Sequence, residues 1–207
     1  MHLDVGTVLL QWSAGGLLGL WITTRHRTVS LGYGWLLRSI FAALAIGGAA
    51  AGITADHSPG AFVRDVSGLA MAASAIFALA ISVRRRQAGL RGPGSFDSRL
   101  DLLGPIAGLV AVLGAADVAG GPYALSAARL VAGALLLGLV TDAMLLGHWY
   151  LIQPGLSREP IKELVAFSAL AWPLDVVLLV VPTGMTDVLR GSIDDGYGGL
   201  LGITWIV

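Results

Sequence analysis

Apolar residues occur along this 207-residue chain in six long and nearly uninterrupted runs. A helix needs about 20 apolar residues to cross the hydrocarbon core of a bilayer. The runs are rich in Ala and Leu and lack the alternation of barrel strands, so each one predicts a membrane-spanning helix. The predicted spans are residues 5–23, 36–54, 66–83, 102–119, 128–152 and 164–182.

A seventh apolar stretch, residues 199–207, has only about half the length of a span. It is either a short interfacial segment or part of a further helix. We expect the further helix, because a chain ending there would place its terminal carboxylate in lipid. The predicted fold class is therefore all-α. A single domain over residues 1–207 forms a polytopic integral membrane bundle of six transmembrane helices plus a partial seventh.

The overall composition supports a membrane protein. Only 13% of the residues are charged and 56% are hydrophobic, with a mean hydropathy of +0.79. Soluble domains carry about 25% charged residues. The formal net charge of zero gives no basis for nucleic-acid binding. The absence of cysteine excludes disulfides, thiolate catalysis and cysteine-based metal sites.

The distribution of basic residues predicts an orientation in the cell membrane. Loops on the cytoplasmic side of a membrane carry an excess of Lys and Arg. One side of the predicted bundle receives ten basic residues and the other receives Arg64, Arg129 and Arg190. The amino terminus should therefore lie outside, and the basic loop 84–101 should face the cytoplasm beside anionic lipid headgroups.

Two aspartates fall near the middle of predicted spans. Asp142 and Asp175 lie about 15 and 18 Å from the same predicted boundary, near the midplane of a roughly 30 Å core. A lone aspartate there costs about 2.5–3.5 kcal/mol on insertion scales, so an acid pair is a candidate proton or cation site. Thr141 is a candidate auxiliary ligand. The alternative is that both acids only join helices through hydrogen bonds.

The stretch "GHWYLIQPG" ends the fifth predicted span. Trp149 and Tyr150 are expected to anchor that end at the membrane interface, where aromatic rings collect. His148 is either part of this anchor or a proton relay between the acid pair and the cytoplasm. Histidine spacing that could hold a metal or haem is missing, so no metal and no cofactor are expected.

Glycine pairs with GxxxG spacing predict close helix packing. They are Gly15 with Gly19, Gly48 with Gly52, and Gly104 with Gly108. Packing within one chain is the favoured interpretation, and dimerisation or docking to another protein is the alternative.

Three functions follow from these features. The leading prediction is a proton- or cation-coupled transporter or conduction unit that uses the acid pair. The second is a non-catalytic accessory subunit of a larger membrane complex, such as a respiratory one. The third is an enzyme acting at the cytoplasmic interface, which is disfavoured because no second catalytic group accompanies His148. The expected partners are the lipid bilayer and either further copies of the chain or a larger complex.

Overall fold

The computed structural model describes residues 3–89 and 97–180, which form six α-helices and contain no strand. The helices are α1 (Val5–Thr24), α2 (Leu31–Ala55), α3 (Pro59–Gln87), α4 (Leu103–Val118), α5 (Tyr123–Ile152) and α6 (Glu159–Val180). A short 3₁₀ turn, Leu100–Leu102, leads into α4. The predicted partial helix at 199–207 lies outside the described residues.

All six helices are long and apolar enough to cross a membrane, which confirms the all-helical prediction. Several of them begin earlier than the apolar runs indicate. Helix α3 begins at Pro59, whereas its apolar run begins near residue 66. The Ser58 hydroxyl accepts a hydrogen bond from the Ala61 amide at 3.3 Å, and proline suits the first helical position because it needs no amide donor.

Helix α1 is the centre of the bundle. It packs against α2, α4 and α5. Helix α3 packs against α2 and α4, and helix α6 packs mainly against α5. Of the 18 most apolar consecutive residues of α1, 67% are buried, whereas only 11% of the corresponding residues of α6 are buried. A polar group on α1 therefore lies in the interior, whereas one on α6 lies near the surface.

The connection between α2 and α3 is a short polar turn at the end of the bundle where α1 begins. The Ser58 backbone amide donates to the Asp56 carboxylate at 3.0 Å, and the Ser58 hydroxyl donates to the other oxygen at 3.1 Å. These hydrogen bonds hold the pKa of Asp56 below its usual range. The charge of Asp56 therefore lies in the turn and outside both helices.

Large apolar side chains cover the outside of the bundle. Leu151 is 81% exposed, Leu170 is 73% exposed and Phe62 is 69% exposed. A water-facing monomer rarely exposes apolar patches larger than a few hundred Å². The outer surface is thus suited to lipid along most of its length.

Candidate functional site

The candidate site lies where α1 and α5 cross. Gly15 and Gly138 meet so closely that a methyl group on either one would overlap the backbone of the other helix. Small residues permit this approach of two helix backbones. One turn further along both helices, Gly19 of α1 lies opposite Asp142 of α5.

Asp142 is completely buried at this crossing. Its carboxylate lies directly against Gly19, in space that a side chain at that position would fill. Neither carboxylate oxygen has a hydrogen-bond partner among residues 3–89 and 97–180. Buried polar groups are nearly always hydrogen-bonded, so an unpartnered carboxyl at the centre of a bundle calls for an explanation in terms of function.

The neighbour of Asp142 on α2 is Tyr33, which is also fully buried. Its hydroxyl donates to the Asp142 backbone carbonyl at 3.4 Å and lies near the Thr23 side chain. Trp149 packs edge-on against the Tyr33 ring, with ring centroids 5.8 Å apart. Tyr33 therefore brings a hydroxyl to the residue that carries the buried acid, a contact that the sequence analysis missed.

Thr141 also contacts α1, at Trp12 instead of Gly19. Its hydroxyl donates to the Leu137 carbonyl at 2.7 Å and accepts from the Trp12 indole nitrogen at 2.9 Å. Its one proton is therefore committed to its own helix. In the structure Thr141 joins α1 to α5 and makes no hydrogen bond to the Asp142 carboxylate.

Replacing Thr141 with valine should lower the stability of the bundle by about 0.6–1.7 kcal/mol, the range measured for interhelical hydrogen bonds in a membrane protein. The Trp12 indole would lose its acceptor while the volume of the side chain is kept. Thermal unfolding in detergent measures the change. Thr54→Val is the matched control, because the Thr54 hydroxyl is exposed and bonds only to Ala51 of its own helix. Equal stability of the two variants would contradict this assignment.

The three residues at the end of α5 have different environments. His148 is exposed, and its Nδ1 lies 2.9 Å from the Met144 carbonyl of its own helix. Trp149 is half-buried and donates to the Ser30 hydroxyl at 3.0 Å. Tyr150 donates to the Ser157 carbonyl at 2.6 Å and so fastens the turn to α6. The structure does not bring His148 to Asp142, because the two project from different faces of α5.

Asp175 occupies a different level of the bundle. Its half-buried carboxylate faces Gly133 of α5, where an added methyl group would be 3.9 Å from Asp175 and 3.1 Å from the Gln11 side-chain nitrogen. Gly133 precedes Asp142 by nine residues, which corresponds to about 14 Å along the helix axis. The two acids therefore do not form a pair in this structure.

The difference from the predicted equal depth arises in the turn between α5 and α6. The prediction assumes that Ile152 and Glu163 mark the same membrane boundary. In the structure Ile161 packs beside Gly147, because α6 already begins at Glu159. Measured from this contact, Asp175 is much farther along its helix than Asp142 is along α5.

All three GxxxG pairs are used within the chain. Gly48 lies against Leu10 of α1, and Gly52 lies against the Arg64 and Asp65 side chains of α3. Gly104 and Gly108 lie against α1 as well, at Leu17 and Ala14 respectively. The small-residue faces that docking to another protein would need are therefore occupied by helices of the same chain.

A buried ion pair joins α2 to the turn before α4. Arg38 donates from Nε and Nη2 to the two oxygens of Asp101 at 2.8 and 2.7 Å, and the Thr24 hydroxyl donates to Asp101 at 3.1 Å. Arg38 is 2% exposed and Asp101 is 5% exposed. In the sequence, Arg38 is one of the ten basic residues that predict the orientation. A charge within an apolar run was the signal that a partner must exist.

A second buried cation lies where α1 and α3 begin. Arg64 is completely buried and donates to Asp65 at 2.8 Å and to Asp4 at 2.9 Å. The other oxygen of Asp4 accepts from the Thr7 amide at 2.6 Å and so caps α1. Both ends of α1 are thus fixed to neighbouring helices by charge-assisted hydrogen bonds.

Helix α6 is fastened at its start. Glu163 pairs with Arg25, the residue that follows α1, and lies 3.2 Å from Nε2 of His26. The Arg25 guanidinium also lies 5.2 Å from the centre of the Trp21 ring. This contact positions α6 against the same end of α1 that carries Thr24 and the Arg38–Asp101 pair.

Within residues 3–89 and 97–180, no three His, Asp or Glu side chains are grouped in a way that could hold a metal ion. The carboxylate at the crossing of α1 and α5 stands without such ligands around it. Its neighbours on the adjoining helices are Gly19 of α1 and Tyr33 of α2.

No family model matches this sequence, and no curated protein or solved structure matches it either. What the chain does must therefore be inferred from its own side chains and their surroundings.

Proposed function

We propose that the chain is a multi-pass protein of the cell membrane, with its amino terminus outside and segment 84–101 at the cytoplasmic face. Six apolar helices and a largely apolar outer surface support insertion. The orientation is supported by Arg25, Arg27 and Arg84 to Arg86, which lie at the end of the bundle where α1 and α3 finish.

We further propose that Asp142 is the proton-binding group of a proton-coupled transporter or conduction unit. The observation that carries this proposal is the complete burial of a carboxyl with no hydrogen-bond partner in the described part of the chain. An uncompensated carboxylate in an apolar interior is strongly unfavourable, so the group is neutral here and carries a proton. Release of that proton must be coupled to a change in its surroundings.

The polar groups on either side of Asp142 suggest a route. On the cytoplasmic side, Tyr33 and Thr23 lead toward Thr24, which bonds to Asp101. On the outer side, Asp175 and Gln11 lie beyond the crossing of α1 and α5. Asp175 is then a second proton-handling group at the outer level.

The close backbone contact between Gly15 and Gly138 lies between Asp142 and the Asp175–Gln11 group. It leaves no space for water at that level of the helix pair. In the proposed mechanism this contact is the closed outer barrier, and separation of α1 from α5 exposes Asp142. Alternating access of this kind is commonly a rocking of one group of helices against another.

The remaining predicted residues take structural roles in this proposal. Thr141 and Trp12 hold α1 to α5, and Trp149 and Tyr150 order the cytoplasmic end of α5. His148 projects to the exposed face of α5 and is not part of the route.

Asp142→Asn is expected to abolish proton flux and to leave a folded bundle, because asparagine keeps the shape of the side chain but does not titrate. The measurement uses the full chain reconstituted in liposomes with an enclosed pH-sensitive dye and an imposed pH gradient. A thermal unfolding curve in detergent establishes that the variant is folded.

Asp117→Asn is the matched control, because Asp117 is an exposed carboxylate near the end of α4 and should not affect the flux. Asp175→Asn is expected to reduce the flux partly. Undiminished flux in Asp142→Asn would contradict the proposal. A folded wild-type protein that gives no flux above protein-free liposomes would contradict it too.

A non-catalytic accessory subunit of a larger membrane complex is the second candidate. The observation in its favour is α6, where Leu170 is 73% exposed and Trp172 is 60% exposed along a helix that contacts little besides α5. A partner protein could cover this face. Mass spectrometry of the protein purified in mild detergent would then find a second polypeptide at fixed stoichiometry, and a single polypeptide would contradict this candidate.

A further inference from the structure

An apolar cleft lies between α4 and α5, and α1 forms its floor. Its volume is about 340 Å³. The lining residues on which the inference depends are Gly15 and Leu18 of α1, Leu135 of α5, and Leu102, Ile106 and Leu109 on the α4 side. Ile106 is 54% exposed and Leu109 is 48% exposed, so the cleft opens at the surface of the helical bundle. Every residue that lines it is apolar.

A basic residue, Arg99, lies three residues before Leu102, where the α4 side of the cleft begins. Leu102, Ile106 and Leu109 follow helical spacing and lie on one face. Arg99 precedes Leu102 by one 3₁₀ turn and already has helical backbone angles, φ −70° and ψ −35°. A 3₁₀ turn has three residues, so Arg99 lies on the same face as the cleft.

Arg99 carries its positive charge at the surface of the described part of the chain. It is exposed, and its side chain forms no ion pair in the part of the chain that the structure describes. Its two acidic neighbours are already engaged, Asp97 with Arg85 at 3.5 Å and Asp101 with Arg38 at 2.7 Å. An apolar cleft that ends at an available cation matches an amphiphile with an anionic headgroup.

The length of the cleft matches one leaflet of a bilayer. From Leu102 to Val112 the α4 side of the cleft extends over ten residues, or about 15 Å. This is half of a hydrocarbon core about 30 Å thick. With Arg99 at the cytoplasmic end, an acyl chain in the cleft would reach from the headgroup level to about the midplane.

We propose that this cleft binds one acyl chain of an anionic glycerophospholipid from the cytoplasmic leaflet, with the lipid phosphate on Arg99. The proposal rests on the proposed orientation in the membrane and is independent of proton transport. A bound chain would contact Leu18 and Gly15 of α1, one turn or less from the helix crossing that encloses Asp142.

The test is native mass spectrometry of the full chain, delipidated in detergent and titrated with phosphatidylglycerol or with phosphatidylcholine of the same acyl chains. One phosphatidylglycerol should bind at least fivefold more tightly than phosphatidylcholine. Arg99→Gln should weaken the binding of phosphatidylglycerol about fivefold, which is the effect of one basic residue near a membrane surface. Ile106→Trp should weaken it more than tenfold by filling the cleft.

Two matched variants control for nonspecific effects. Arg86→Gln removes an exposed arginine at the end of α3, and Leu103→Trp enlarges an exposed α4 side chain that does not line the cleft. Both should bind phosphatidylglycerol as the wild type does. Excess glycerol phosphate, which has the headgroup chemistry without acyl chains, should not displace the lipid.

Equal binding of the two lipids, or unchanged binding by Arg99→Gln, would overturn the headgroup assignment and with it the proposal. Unchanged binding by Ile106→Trp would overturn it by placing the lipid elsewhere. A dimer that dissociates in Ile106→Trp but is insensitive to lipid would show that a second copy of the chain fills the cleft. None of these results depends on proton flux, so the lipid site and the Asp142 proposal fail or hold separately.

Discussion

Asp101→Ala is expected to destabilise the bundle by about 3–5 kcal/mol, the effect of removing one partner from a buried ion pair. The Arg38 guanidinium would lose two hydrogen bonds, at 2.8 and 2.7 Å, and would remain buried at 2% exposure. Urea or thermal unfolding of the full chain in detergent, followed by circular dichroism, measures the loss.

The double variant Arg38→Met with Asp101→Leu should recover most of that stability, because well-packed apolar residues can replace a buried ion pair at little net loss. Asp97→Ala is the matched control. The Arg85–Asp97 pair is 3.5 Å long and about one-third exposed on both sides, so removing it should change stability by at most about 1 kcal/mol.

A large loss in Asp97→Ala as well would show that any charge change in this region is harmful. A small loss in Asp101→Ala would show that water reaches Arg38. Either result would contradict the structural role given to the Arg38–Asp101 pair.

The helices of this protein are largely predictable from sequence because apolar runs of about 20 residues have few alternatives to a membrane-spanning helix. The starts of the helices are less predictable from hydropathy alone. Pro59 illustrates the reason, since the apolar run begins near residue 66 whereas Ser58 and Pro59 start the helix. Capping chemistry, and not hydropathy, determines where α3 begins.

Asp142 is identifiable from sequence because an acid in an apolar run is expensive wherever it points. Its surroundings are not identifiable in that way. The partner face on α1 depends on how α1 and α5 rotate and cross, and the level of Asp175 depends on where the turn to α6 ends. A shift of a few residues in that turn separates two acids that the sequence places at one depth.

The partners of the buried arginines are also not identifiable from the sequence. Arg38 and Arg64 are counted in the sequence as charges that set orientation, and both are buried in the structure, Arg38 paired with one carboxylate and Arg64 with two. Asp101 and Asp4 are far from these arginines in the sequence. Charge matching shows that a partner is required, but only the packing of α1, α2, α3 and α4 selects which one.

Gly138→Ala is expected to be among the most disruptive single substitutions in the helices, with a loss of about 3 kcal/mol or more. Overpacking a core typically costs about 1–3 kcal/mol when side chains can move aside. At this position the added methyl group would meet the backbone of Gly15, which has no side chain to displace. The helices would have to separate along their whole contact.

Gly147→Ala is the matched control on the same helix. Its methyl group would make an ordinary contact 3.9 Å from Ile161, so the higher helix propensity of alanine should leave stability unchanged or raise it by up to about 1 kcal/mol. Thermal unfolding in detergent compares the two variants. Similar stabilities would show that α1 and α5 are not in backbone contact.

Gly19→Ala links this packing to the buried acid. The three atoms nearest to its methyl group would all belong to the Asp142 side chain and none to backbone, so the substitution should destabilise the bundle less than Gly138→Ala does. Combining it with Asp142→Ala should remove most of that penalty, because the space occupied by the carboxyl becomes free. The coupling between the two positions is then large, as expected for residues in contact. Additive effects would mean that Gly19 is not the wall of the Asp142 site. With strong coupling, the glycine at position 19 is explained by the acid that it accommodates.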